Sequence, residues 1–92
     1  MVSYVRDTFA PIKKIIGVTL LGTTAVSIPV NGNAITFACI SGSIWINPLA
    51  TAVTNETAFR LYTGQAIDLV VKGSLSIISD SSATYQAIFW DT

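Results

Sequence analysis

Tyr85-Gln86-Ala87-Ile88-Phe89-Trp90 is written with a period of two. Tyr85, Ala87 and Phe89 fall on one face of an extended chain, and Gln86, Ile88 and Trp90 on the other. The first face is apolar, as packing on a core requires. The second would be wet in an isolated domain, yet it carries Ile88 and Trp90, which implies that this face is covered too. Ala25-Val26-Ser27-Ile28-Pro29-Val30 has the same period. It sets Val26, Ile28 and Val30 on one side against small or turn-compatible residues on the other.

Extending this reading along the chain predicts eight strands, over 13–21, 24–30, 34–40, 43–47, 57–62, 66–71, 74–78 and 84–90. Repeats of about ten residues with turn signals between them are the pattern of an all-β sandwich or barrel. Asn31-Gly32 tolerates the positive φ angles of a type I′ turn, so strands two and three are expected to form a hairpin. Lys72-Gly73 separates strands six and seven in the same way, and Ser79-Asp80-Ser81-Ser82 is a polar turn before the last strand. The stretch 48–57 shows no clear period and reads as a longer loop with room for one helical turn. Thr, Val, Ile and Ser dominate elsewhere, which disfavours helix.

The expected organisation is an extended N-terminal arm over residues 1–12 and one β-sandwich over residues 13–92. Pro11 disfavours helix at Ala10, and the arm carries Tyr4 and Phe9. It either drapes over a neighbour or is a frayed terminus. Lys13-Lys14 followed by an apolar run also has the form of a secretory leader, but it begins a dozen residues in and reads as a strand. No run approaches the roughly 18 apolar residues of a membrane span.

The 92 residues are 51% hydrophobic and only 11% charged, against a usual charged share of about 25%. Five basic and five acidic residues with no His give zero formal net charge. No field therefore steers nucleic acid or an anionic membrane, and neither is expected as a partner. Association would rest on shape and apolar burial. The single cysteine, Cys39, allows no internal disulfide and no thiolate cage, and its phase with Ile35 and Phe37 reads as a small buried hydrophobe. Absence of disulfides fits assembly in a reducing cytoplasm.

Catalysis needs a poised proton-transfer group, a nucleophile with a base, or a metal. Here there is no His, and Asp7, Glu56, Asp68, Asp80 and Asp91 are scattered over separate elements. The expectation is a non-enzymatic protein with no catalytic residue, no metal, no cofactor and no small-molecule substrate. Asn55-Glu56-Thr57 matches the glycosylation acceptor pattern and reads as idle. Trp45 is out of phase with Ile44 and Ile46, so it faces outward if they face the core; Trp90 shares its face with Ile88. These residues, with Tyr4 and Phe9, are the candidate interface positions, although both tryptophans would equally cover a sandwich rim. Asp68 and Arg60 are candidates for a cross-strand ion pair.

From Thr24-Ala25-Val26-Ser27-Ile28-Pro29-Val30 onward, the succession of Ile44-Trp45-Ile46-Asn47, Leu61-Tyr62-Thr63-Gly64-Gln65-Ala66-Ile67-Asp68-Leu69 and Ser74-Leu75-Ser76-Ile77-Ile78-Ser79-Asp80 resembles small virion structural proteins of tailed bacteriophages. It covers residues 23–92, and Gln65 stands where that pattern has an acidic residue. The resemblance implies a jelly-roll-like β-sandwich acting as a capsid decoration or cement protein. Such a protein is made in the host bacterial cytoplasm and sits on the capsid surface as a homo-oligomer, a trimer by preference, with the major capsid protein as partner. The alternatives are a neck, tail or baseplate component and, from another class, a carbohydrate-binding module using Trp45 or Tyr62 as a stacking platform.

Overall fold

The computed structural model describes residues 11–55 and 57–91. All eight expected strands form: β1 (Ile12–Leu21), β2 (Val26–Pro29), β3 (Ala34–Ser41), β4 (Ser43–Asn47), β5 (Phe59–Tyr62), β6 (Ala66–Val70), β7 (Ser74–Ser79) and β8 (Ala83–Trp90). Among the described residues there is no helix, and the helical turn allowed for in 48–57 is absent. That loop is held instead by asparagine side chains. Asn47 Oδ1 accepts from the backbone N–H of Leu49 at 2.8 Å and of Ala50 at 3.0 Å. Asn55 Oδ1 likewise accepts from Thr57 N–H at 2.8 Å.

The strands build two four-stranded antiparallel sheets, one in the order β1-β8-β3-β6 and the other β2-β7-β4-β5. The pairs β1–β8, β2–β7, β3–β6 and β4–β5 are nested, as if the chain folded back on itself as one long hairpin and then rolled up. This is the jelly-roll arrangement, an all-β sandwich with eight short antiparallel strands.

Alternation fills the space between the sheets. Ile35, Phe37 and Cys39 of β3 and Ala83, Tyr85, Ala87 and Phe89 of β8 point inward from the first sheet. Ile28, Ile44, Ile46, Leu61, Leu75 and Ile77 answer from the second. Phe37 and Tyr85 stack with ring centroids 5.1 Å apart. Cys39 is the buried hydrophobe its phase implied; it is a free thiol whose burial pushes its pKa above the usual range.

The expected hairpins do not form as hairpins. Asn31 (φ 55°) and Gly32 (φ 81°) do adopt the positive angles of a type I′ turn, but β2 and β3 lie in different sheets. The turn is a corner. The same holds for Lys72-Gly73, which carries the chain from β6 in the first sheet to β7 in the second. The two corners interlock: the backbone N–H groups of Val30 and Asn31 both donate to Gly73 O at 2.7 Å. Val30 and Val71, one beside each corner, turn into the core. Burying those two valines between the layers is what makes the chain change sheet rather than double back.

Candidate functional site

The two sheets are joined differently along their two seams. Where β3, β5 and β6 meet, the turn after β5 closes the structure with backbone bonds. Cys39 N–H donates to Gln65 O and Gly64 N–H to Cys39 O, both at 2.8 Å. On the opposite side β1 and β2 are edge strands of different sheets that do not pair with each other. Between them opens a cleft of about 340 Å³.

Its floor is the inner surface of the sandwich: Ile28, Val30, Tyr85 and Phe89, all buried, with half-buried Ile16 beside them. Its rim is polar and of one sign. Lys13 and Lys14 come from β1, Asn31 and Asn33 from the corner after β2, and no acidic residue lines the cleft. Register places Lys14 here, because it pairs with inward-facing Phe89 and its Nζ lies 5.9 Å from the Phe89 ring centroid. An apolar floor under a cationic, amide-bearing rim can hold a small molecule with an apolar body and an anionic end. Two further depressions of about 350 Å³ each, one by the 48–51 loop and one between β5 and β6, are lined mostly by exposed residues and lack such a floor.

The outer face of the first sheet is the second notable surface. Its paired rows run Ile12–Trp90–Ala34–Val70 and Ile15–Ile88–Thr36–Asp68 across β1, β8, β3 and β6. Trp90 Nε1 donates to Thr36 Oγ1 at 2.9 Å, and the Thr36 hydroxyl donates to Asp68 Oδ1 at 2.5 Å. The expected phase of Ile88 and Trp90, outward and opposite Phe89, is what the register gives.

The other candidates fare differently. Tyr4 and Phe9, with most of the expected arm over 1–12, lie outside the described residues; Ile12 belongs to β1. Trp45 does turn away from the core that holds Ile44 and Ile46, but it is no exposed anchor: it is 7% exposed, with the Arg60 guanidinium 4.6 Å from its ring centroid. Arg60 also lies 4.4 Å from the Tyr62 ring centroid and donates to Ser43 Oγ at 3.1 Å. The expected Arg60–Asp68 pair is thereby corrected, since β5 and β6 are edges of different sheets and Asp68 is taken by Thr36. Among the described residues no three His, Cys, Asp or Glu side chains gather as a metal site, and no helix is long and apolar enough to cross a membrane.

The cleft was missed in the sequence. Lys13-Lys14 and Asn31-Gly32-Asn33 were each visible, one as a basic pair and one as a turn. They meet only because the turn is a corner that brings β2 opposite β1. No periodicity records that.

An eight-stranded jelly-roll domain with a cleft at one seam is the class these features define. No family model matches the chain, and no curated protein matches it. Solved structures do. A putative ethanolamine utilization protein EutQ from Salmonella typhimurium aligns with TM-score 0.61 at 7% identity, over 80% of this chain and 55% of that one. The cupin domain of Schizosaccharomyces pombe Cnp3 aligns with TM-score 0.61 at 15% identity, over 90% of this chain and 59% of that one. A protein of unknown function from Vibrio parahaemolyticus aligns with TM-score 0.60 at 10% identity, over 77% and 70%. The chain thus spans little more than half the length of the EutQ and Cnp3 chains. At these identities the likeness is one of fold alone, a small all-β jelly-roll sandwich.

These neighbours overturn the decoration or cement function, together with its neck, tail, baseplate and sugar-binding alternatives, because EutQ proteins and a cupin domain stand where virion proteins were expected. The physical reason is that the matched segments were short strands and their turns. Any eight-stranded jelly roll must contain such segments, so they report the fold and not the role. Of the two residues offered as a sugar-stacking platform, Trp45 is buried beneath Arg60, while Tyr62 is exposed with the Arg60 guanidinium 4.4 Å from its ring centroid.

Proposed function

We propose that this protein is a non-enzymatic binding domain that holds a small amphipathic carboxylate in the cleft between β1 and β2. One observation carries the reading: a buried apolar floor of Ile28, Val30, Tyr85 and Phe89 beneath a rim bearing Lys13 and Lys14 and no acidic residue. The apolar part of the ligand would displace water from the floor, at about 25 cal/mol per Å² buried. The lysines would hold the carboxylate as charge-assisted donors, and Asn31 and Asn33 offer amide groups beside them. The cupin-type neighbours support the reading at the level of the scaffold, a small barrel-like sandwich open at one seam. The sequence-based expectation was of no small-molecule substrate; the reading of a bound carboxylate rests on the cleft, which exists only with β1 and β2 brought to the same seam.

The test is titration of isotope-labelled protein with hexanoate and benzoate, and with their neutral amides, followed by amide chemical shifts. Saturable shifts confined to β1, the Val30–Asn33 corner and β8 are expected for the acids. Binding should weaken at least tenfold, about 1.4 kcal/mol, in Lys13→Glu/Lys14→Glu. Equal affinity for acids and amides, or no shifts at millimolar ligand, would overturn the proposal.

A further inference from the structure

The outer face of the first sheet is built to be covered. Ile12, Ile15 and Val70 are 51%, 57% and 64% exposed, and they flank the half-buried Ile88 and Trp90. The register turns all five to the same side. The indole and hydroxyl among them are already partnered, through Trp90 to Thr36 and Thr36 to Asp68, while the exposed Gln86 lies on the same face towards the start of β8. Covering this face would therefore leave no indole N–H or threonine hydroxyl orphaned, which is the usual cost of burying a polar surface.

We infer that this face packs against the same face of a second copy of the chain, in a two-fold dimer of stacked sheets. Three observations select that occupant. The first is charge: the paired outer rows of β1, β8, β3 and β6 hold one ionisable side chain, Asp68, and the chain as a whole is neutral. A patch whose one charge, Asp68, stands on the edge strand β6 offers little electrostatic address to a differently charged partner, whereas its apolar rows are complementary to themselves, as an isologous contact requires. The second is area. Eight residues of β8 at about 3.4 Å each, across four strands about 4.8 Å apart, give a face of roughly 500 Å². Two such faces bury roughly 1,000 Å², the lower bound of a specific interface.

The third observation decides between stacking and edge-to-edge strand addition. The two edges beside this face are β6, a short strand of five residues, and β1, whose ladder to β8 is broken twice, between Ile12 and Lys14 and between Ile16 and Thr19. Bulges of this kind twist an edge and interrupt its row of free N–H and C=O groups, which blocks pairing with another strand. The face remains as the surface available for association.

Analytical ultracentrifugation of the full chain between 1 and roughly 100 μM tests this, with the concentration window set by the affinities usual for small interfaces. A monomer–dimer equilibrium is expected. Ile15→Lys and Val70→Lys should each shift it towards monomer at least tenfold, with circular dichroism unchanged, whereas Phe59→Lys on the other sheet should leave it intact. A measurement on the unaltered protein guards against misfolded variants: a soluble gadolinium chelate should broaden the Ile15 and Ile88 methyl signals on dilution and spare them at high concentration. A monomer throughout, a trimer, or a dimer indifferent to both substitutions would overturn the inference. Methyl signals shielded at every concentration would also overturn it, since another part of the same chain would then cover the face.

Discussion

Gly42 is the residue at which backbone and packing constrain the sequence together. It is the single residue between β3 and β4, so it carries the chain from one sheet to the other with φ 80°. A Cβ placed there would stand 2.9 Å from Ala83 Cβ and 3.0 Å from Ser82 O. Gly64 has a similar φ of 85° but open space around it. Left-handed backbone costs a non-glycine residue about 1–2 kcal/mol, and overpacking adds about 1–3 kcal/mol. Gly42→Ala should therefore lower stability by roughly 2–5 kcal/mol and Gly64→Ala by about 1–2 kcal/mol in urea unfolding. Equal losses would mean that the close approach to Ala83 relaxes freely. Single residues were only partly legible in the sequence. The inward phase of Cys39 and the outward phase of Trp90 follow from alternation alone. The burial of Trp45 does not, because the side chain that covers it, Arg60, comes from a strand whose pairing the sequence leaves open.

At the scale of elements, all eight strands were legible because period two is a local property. Which sheet each strand joins was not, since Asn31-Gly32 serves a corner as readily as a hairpin. What fixes the corners is long-range, and Ser79 shows how. It ends β7 in the second sheet and is the only buried polar residue among those described. Its hydroxyl lies within reach of three carbonyls: Leu21 O at 3.2 Å, Gly22 O at 2.8 Å and Ser81 O. Leu21 and Gly22 mark the end of β1 in the first sheet, so one side chain ties the two layers together where the chain leaves β1. The hydroxyl has one proton to share among them, and Gly22 O also accepts from the Ser79 backbone N–H at 3.2 Å, so removing the hydroxyl loses one hydrogen bond, about 0.5–1.5 kcal/mol. Ser79→Ala should lower stability by that amount in urea unfolding and raise amide exchange around residues 22–25. A substitution that costs nothing would show that water replaces the hydroxyl.

For the molecule as a whole, the nested pairing sets an order of dependence among the strands. β4 and β5 are joined by residues 48–58, whereas β1 and β8 pair across nearly the full length of the chain. Closing a long loop is least costly after the pairs inside it have formed, so β1 is the strand whose docking depends on all the others. It is also bonded on one side only, to β8, with two interruptions in its ladder. Both proposed surfaces draw on this strand. Lys13, Lys14 and Ile16 line the cleft, while Ile12 and Ile15 belong to the outer face. An edge strand of the first sheet, with an interrupted ladder, is thus the one on which binding and association would act. Its amides should exchange faster than those of β3 and β8, through local opening that leaves the rest folded. Hexanoate, or a rise in protein concentration, should slow exchange in β1 with little change in β3, because each stabilises only the docked strand. Exchange in β1 as slow as in β3 would mean that the sheet opens only as a unit. The cleft and the face would then be fixed features of the sandwich, with no strand whose docking either could bias.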